Sequence, residues 1–280
     1  MTDVRQTKEY ADYLSKIGWT IETIDNVYIF LKKIPLIGWF VKIQHPKNLN
    51  SKMLTFIEKK YHPLQFSIEP SSITQLSLLK NHNFKFSSFP SLPTQTLQLD
   101  LQKFSQELLK NLSQKTRYNI RLAQKKGVTI NESKDITDFI SFWRHHFEKK
   151  RFPFLSQKKN IAALYNSFGP KSHLLFAKKD NHTIAILFLI FESKVSYYMY
   201  AATSNTGRIN FAPTLLTWTS ILLAKKSGCT LFDFDGIYDA RFPTKSWLGF
   251  TRFKKGFGGK EIDYPGRFVK NYLNNLGKFL

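Results

Sequence analysis

Cysteine is nearly absent. Cys229 is the only one in 280 residues, which excludes an intramolecular disulfide and any metal site built from several thiolates, and favours a reducing compartment. It follows Gly228 and opens a strand pattern, the setting of a plain buried thiol. Long apolar runs are missing as well: the stretch from Met1 to Leu14 has no signal-like apolar core, and no run approaches the length that spans a bilayer. The expected location is therefore cytoplasmic. The run Ile34 to Ile43 is interrupted by Pro35 and Gly38 and reads as a hairpin. Acids are scarce, 20 against 42 Lys and Arg, and the formal net charge of +22 exceeds what solubility requires. A field of that size attracts nucleic-acid phosphate, an anionic membrane face, or both; coding bias that leaves a solvated lysine-rich surface is the plainer alternative.

Neither a Walker loop nor a dinucleotide fingerprint is present, since Gly256-Phe257-Gly258-Gly259 is not followed by a βαβ unit. His145 and His146 point in different directions from a helix, and no Cys or carboxylate stands at ligand spacing from them. No catalytic metal and no cofactor are expected.

What is present is a chain with 42% hydrophobic residues, enough for a core and for two domains. The pattern predicts a helix over Lys8 to Lys16, strands over Val27 to Lys33 and Gly38 to Gln44, a helix over Ser51 to Tyr61 and a strand over Leu64 to Ile68. Lys32, Lys33 and Lys42 lie on the hairpin, where lysines most often protect an edge. Pro70-Ser71-Ser72 starts another helix, and a strand follows over Thr96 to Leu99. Asp100 is placed to cap a helix carrying Leu101, Phe104, Leu108 and Leu112. Ser113 caps the next helix, which Gly127 ends. Along it Arg117, Arg121 and Lys125 form one positive stripe, either a solvated face or a phosphate contact.

In the second half Asp135 precedes an amphipathic helix with Ile136, Phe139, Ile140, Trp143 and Phe147, and a second helix carries Ile161, Leu164, Tyr165 and Phe168. Strands follow over Leu174 to Lys178, Ile184 to Phe191 and Val195 to Tyr200, then a helix over Pro213 to Ser227. The strand Leu231 to Phe234 delivers Asp233, Asp235 and Gly236 to its carboxyl end, where α/β sheets usually hold ligands. A short helix around Lys254 and a strand near Ile262 complete the pattern.

The stretch from Leu231 to Pro265, with Lys115-Thr116-Arg117-Tyr118-Asn119-Ile120-Arg121 and the helix from Ala212 to Gly228, resembles the Fem family of peptidoglycan bridge-forming aminoacyltransferases. Members of that family take an amino acid from aminoacyl-tRNA and join it to an amine of the stem peptide in a cell-wall precursor. The element order of the second half is that of the GNAT acyltransferase fold, and the family resembles two such domains in tandem. The expectation is an α/β protein with mixed sheets, divided into residues 1–112 and 113–280. No extended heptad stretch is present, so the resemblance is to a short variety without the family's helical arm.

The resemblance implies aminoacyl-tRNA and a lipid-linked or nucleotide-linked muropeptide as partners, with peripheral work at an anionic inner leaflet suited to the charge. It implies that Lys254 is the cation facing the developing oxyanion; a surface lysine is the bland alternative. Asp235 or Asp233 would hold the incoming amine or take its proton, or else order the loop. Lys33 or Lys42 would meet precursor phosphate. Arg151 would clamp the diphosphate, or simply end a helix. Arg117 and Arg121 would meet phosphate or tRNA, and Tyr200 and Lys255 complete the expected substrate-binding set. Two other readings stand beside this one. A CoA-dependent N-acyltransferase is opposed by Gly207-Arg208-Ile209-Asn210-Phe211-Ala212-Pro213, which lacks the glycines of a pyrophosphate cradle. A non-catalytic RNA- or membrane-binding module would show salt-steep binding and no turnover.

Overall fold

The computed structural model describes residues 2–147 and 156–272; Arg151 lies outside them. The chain forms two compact units, one from residues up to 94 with 239–242 and those from 263 on, the other from 95–238 and 243–262.

In the first unit the Thr7 hydroxyl caps α1 (Lys8–Lys16), and three strands follow as an antiparallel meander: β1 (Thr20–Ile24), β2 (Val27–Ile34) and β3 (Gly38–Gln44). The β1–β2 turn is Asp25-Asn26, both at positive φ (50° and 60°), the conformation in which these two residue types are least penalised. Helix α2 (Ser51–Tyr61), capped by Asn50, crosses over so that β4 (Gln65–Glu69) pairs parallel with β3. Helix α3 (Leu76–Asn81) and β5 (Lys85–Ser87) complete the run. Inward residues Ile29, Leu31, Val41, Ile43, Phe66 and Ile68 pack on Leu54 and Ile57. Glu69 ties down the proline-rich loop, accepting from the N–H groups of Ser91 (2.8 Å) and Leu92 (2.7 Å).

The second unit begins with β6 (Gln95–Asp100), α4 (Ser105–Asn111), α5 (Gln114–Lys125) and β7 (Thr129–Ser133). Then come α6 (Ile136–Phe147), α7 (Ser156–Phe168) and the antiparallel β8 (Ser172–Lys179), β9 (His182–Glu192) and β10 (Val195–Thr203). Both turns in this meander, Asp180-Asn181 and Ser193-Lys194, have positive φ at each residue. The unit closes with α8 (Asn205–Ile209), α9 (Ala212–Lys226), β11 (Leu231–Gly236), α10 (Leu248–Lys255) and β12 (Lys260–Asp263). A last strand, β13 (Arg267–Asn271), returns to the first unit. The first sheet runs β1-β2-β3-β4-β13-β5 and the second β12-β6-β11-β10-β9-β8-β7. Helix α9 is buried along most of its length, with Leu215, Leu216, Trp218, Ile221 and Ala224 in the second core.

Two expectations are corrected. Residues 95–112 belong with the second unit: β6 pairs antiparallel with β11, and Leu97, Leu99 and Leu101 alternate into the second core. Asp100 does not cap a helix starting at Leu101. The Leu101 N–H donates to the Thr230 carbonyl (2.9 Å) and prolongs the strand, Asp100 accepts from Gln102 N–H in a turn, and α4 starts only at Ser105. The cap expected at Ser113 forms on Thr116 N–H, and Asp135, ahead of the later helix α6, is found to cap it by accepting from Thr137 and Asp138 N–H. Among the described residues no helix is long and apolar enough to cross a membrane.

Leu187, in the middle of β9, is fully buried. Leu187→Ala should cost about 2–5 kcal/mol, read as a lowered denaturation midpoint at unchanged slope.

Candidate active site

Strand β10 pairs with β9 along its length, but with β11 only from Val195↔Leu231 to Tyr197↔Asp233. Beyond that point the register carries a bulge on each strand. Residue Met199 is extra on β10 between Tyr198↔Leu189 and Tyr200↔Phe188, and β11 is irregular against β6 between Asp233 and Gly236. Bulges bend strands and re-aim side chains, so two parallel neighbours part at their carboxyl ends. Such a parting exposes backbone and side chains that a continuous ladder would cover.

The two acids of β11 divide the work. Asp233 is buried, which pushes its carboxyl pKa up, and its oxygens accept from the Thr96 hydroxyl, Gln98 Nε2 (2.9 Å) and Asp235 N–H (2.7 Å). Thr96 Oγ1 also reaches the Asp235 carbonyl at 2.8 Å. Asp233 thus orders the bulge. Asp235 sits in it at φ +58°, a left-handed conformation that side chains other than Asn, Asp and Gly rarely adopt. Lys254, on α10, is buried and donates to the Gly236 carbonyl at 2.7 Å. Its Nζ lies 5.4 Å from the Tyr198 ring centroid and 5.0 Å from that of Phe250.

Burial pulls the Lys254 ammonium down to about 8, opposed by the charges of Asp235 and Asp233. That displacement corresponds to a penalty of about 3 kcal/mol on the charged form. A lysine offers three N–H donors; beyond the one given to Gly236, the others meet no protein acceptor among the described residues. A poorly hydrated ammonium with donors to spare, beside two carboxylates, can stabilise a negative oxygen strongly. The Tyr198 phenol, hydrogen-bonded to Thr217, is pushed up to about 12 by burial and stays neutral.

Local packing explains why α10 holds this position. Ser113 N–H donates to the Gly256 carbonyl at 2.9 Å, and a Cβ on Gly256 would lie 2.5 Å from Thr116 Oγ1. The start of α5 and the end of α10 are therefore locked together, which makes residues 115–121 and 253–259 neighbours. Phe257 is fully buried against Phe234 and Phe253. Gly207 is likewise a packing residue, since a Cβ there would meet the Ile184 carbonyl oxygen at 2.2 Å.

The remaining expected residues are placed as follows. Lys255 is drawn to the surface by Glu261 (2.6 Å). Arg117 directs its guanidinium at the carbonyls of Lys110 (2.7 Å) and Leu112, closing the end of α4, whereas Arg121 is exposed. Tyr200 stacks on Phe188 and meets Trp143 edge-on. Lys33 and Lys42 belong to the first unit; Lys33 is exposed with its Nζ 5.6 Å from the Trp39 ring. Lys42 lies over Trp19 at 4.2 Å, and burial pulls its ammonium down to about 8. Thr96, Gln98, Tyr198 and Phe250 were not legible as site residues, because their roles come from strand pairing and bulges rather than from any local pattern. Among the described residues no group of three or more His, Cys, Asp and Glu side chains is clustered for a metal.

The model of the FemAB family matches residues 81–183 and 148–276 of this sequence. Among solved structures, FemX superposes with a TM-score of 0.82 at 18% identity, covering 99% of this chain and 94% of that one. The C-terminal domain (DUF2156) of a putative lysylphosphatidylglycerol synthetase from Agrobacterium fabrum gives 0.65 at 14% identity, covering 98% and 91%. A tandem GNAT protein from the clavulanic acid biosynthesis pathway gives 0.55 at 10% identity, covering 88% and 78%. At these identities the structures share a fold with this chain, a mixed α/β architecture of tandem GNAT type. No curated protein matches the sequence significantly.

Because Lys254 holds its proton less tightly in the folded chain than in the unfolded one, its charge costs stability below about pH 8. That cost fades as pH rises from 8 towards the unfolded value of 10.5. Lys254→Met should therefore be more stable than wild type at pH 7, and the gap should narrow at pH 10, as measured by urea unfolding at the two pH values.

Proposed function

The chain belongs to the FemAB family, and from that premise we propose that it transfers an amino acid from aminoacyl-tRNA to an amine of a peptidoglycan stem peptide. The family's coarse activity, transfer in peptidoglycan bridge formation, is the frame; the donor, the acceptor and the residue roles are our reading. The observation that carries it is the buried Lys254 ammonium at the parting of β10 and β11, with donors to spare and two acids beside it.

In this reading the acceptor amine attacks the ester carbonyl carbon of aminoacyl-tRNA, and the carbonyl electron pair moves onto oxygen. Lys254 donates to that oxyanion. Collapse of the tetrahedral intermediate re-forms the carbonyl and expels the ribose oxygen, which leaves with a proton as a hydroxyl. The proton lost by the amine goes to Asp235, held beside Lys254 by the bulge that Asp233 orders, and Asp235 passes it on to the departing ribose oxygen, which returns the carboxylate to its starting state. Because the ester is already activated, no protein nucleophile is needed, and positioning plus charge stabilisation suffices.

Precursor phosphate is assigned to Lys42, whose poorly hydrated ammonium gains most from an anion, with Lys33 of the same unit as the alternative; the diphosphate clamp that the family resemblance implies for Arg151 is kept as a separate proposal. Arg121 is assigned to tRNA phosphate in preference to Arg117, whose guanidinium is spent on helix-end carbonyls. Tyr200 is assigned a supporting place at the substrate. A CoA donor is disfavoured: the residue before α9, Phe211, has φ +56° and no capping hydrogen bond, Pro213 removes an N–H from the first turn, and Gly207 is consumed by packing on β9. The charge suits work in the cytoplasm against the inner leaflet, where a lipid-linked precursor would lie.

The test is transfer of label from a pool of radiolabelled aminoacyl-tRNAs to lipid-linked or nucleotide-linked muropeptide. Label should reach the peptide, and the Lys254→Ala protein, still folded, should transfer about a hundred- to a thousandfold more slowly. Full activity in that variant would remove the role assigned to Lys254. The pH profile supplies a separate check. Rising pH frees more of the acceptor amine and by itself accelerates transfer, whereas loss of the Lys254 proton slows it. Single-turnover rates should therefore rise with pH up to about 8 and level off above it, whereas the residual rate of Lys254→Ala should keep rising as the acceptor amine is freed.

A further inference from the structure

The β2–β3 hairpin ends in a feature that the first unit's core does not use. Ile37 N–H donates to the Ile34 carbonyl at 3.1 Å, closing a turn with Pro35 second and Leu36 third. Leu36 has φ +63°, the pattern of a type II turn, whose third position normally takes Gly or Asn because positive φ crowds a branched side chain. Leu36 nevertheless stands there, 109% exposed beside an Ile37 that is 56% exposed. Turn chemistry and hydration both argue against a leucine at this position, and no packing inside the protein repays it.

Behind the tip the composition is layered. Trp39 is half-buried, with the Lys33 Nζ 5.6 Å from its ring and the Tyr61 ring edge-on at 5.4 Å. The Lys60 Nζ lies 5.1 Å from the Tyr61 ring. Glu22 accepts from both Lys60 (2.9 Å) and the Tyr61 hydroxyl, holding this corner in place. Exposed aliphatic groups at the tip, then Trp39 with Lys33 directly opposite it across the strand pair, is an order in which a protein meets a bilayer: aliphatic side chains at the acyl boundary, aromatic rings and ammonium groups together at the headgroup level. The net charge of +22 supplies the matching long-range attraction to an anionic surface.

We propose that the tip Pro35-Leu36-Ile37 inserts into an anionic phospholipid bilayer, with Trp39, Tyr61 and the Lys33 ammonium at the headgroup level. The inference deepens the proposed function by naming the segment that brings the enzyme to a lipid-linked acceptor, and in that purpose it rests on that reading. The binding itself requires no transfer.

The test is flotation of the full chain with vesicles of equal phosphatidylglycerol and phosphatidylcholine, and with phosphatidylcholine alone. The variant is Leu36→Asn with Ile37→Ser; asparagine suits the left-handed turn position, so the fold should be kept and thermal unfolding should be unchanged. Wild type should float with the anionic vesicles, and the variant should partition at least about tenfold more weakly, as two aliphatic side chains no longer leave water. Equal flotation of the two proteins would show that charge alone holds the membrane and would overturn the proposal, as would a wild type that stays with neither vesicle. A variant that turns a dimer into a monomer without changing flotation would assign the tip to a second copy of this chain instead. Because flotation uses no aminoacyl-tRNA, its failure leaves the transfer reaction standing, and a failed transfer assay leaves the membrane contact standing.

Discussion

The second unit is organised around keeping one ammonium group, that of Lys254, out of water and still charged. Burial opposes that charge, and the Gly236 carbonyl, Asp235 and Asp233 support it. The balance leaves a lysine whose proton is lost near pH 8 rather than near 10.5. An exposed lysine would be satisfied by solvent and would gain little from a transient oxyanion; a poorly solvated one gains much. The stability sacrificed to bury the charge is about 3 kcal/mol, the size of the contribution that single oxyanion donors make in enzymes generally.

Everything nearby serves that placement. The bulges let β10 and β11 diverge after Tyr197 and Asp233, opening the sheet where a substrate could enter. Asp233 gives up any role as a free base by binding Thr96, Gln98 and the Asp235 N–H, and thereby fixes Asp235 in an unusual backbone conformation. Gly256 allows α10 to press on α5, so the helix that carries Lys254 is anchored at the end nearest to it. This placement rests on a few residues whose individual preferences are overridden by their surroundings.

Much of this was legible beforehand. Alternation marks the β8–β9–β10 meander, and Asp180-Asn181 are residue types that tolerate positive φ, whereas Ser193-Lys194 adopt it without that preference. The hydrophobic spacing of α6 and the capping residue Ser113 are equally plain in the sequence. Lys254 stood out only through resemblance, because a lysine next to Lys255 carries no local sign that one is buried and the other paired with Glu261 at the surface. The sequence marks β6 as a strand but not its sheet: partner choice is a long-range matter, settled by Leu97 and Leu99 packing into the second core. β13 has no clear sequence signal, because five residues after Gly266 give too short a pattern to separate from a loop; its place is set by Phe268 pairing between β4 and β5.

The claim on which this account turns is that Lys254 is a buried ammonium poised to lose its proton near neutrality. Nitrogen-resolved NMR of lysine-labelled protein, with the Lys254 Nζ signal identified by its loss in Lys254→Arg, reads that titration directly. A midpoint near 8 is predicted; a midpoint at the ordinary lysine value of about 10.5 would mean the group is solvated and would contradict the account.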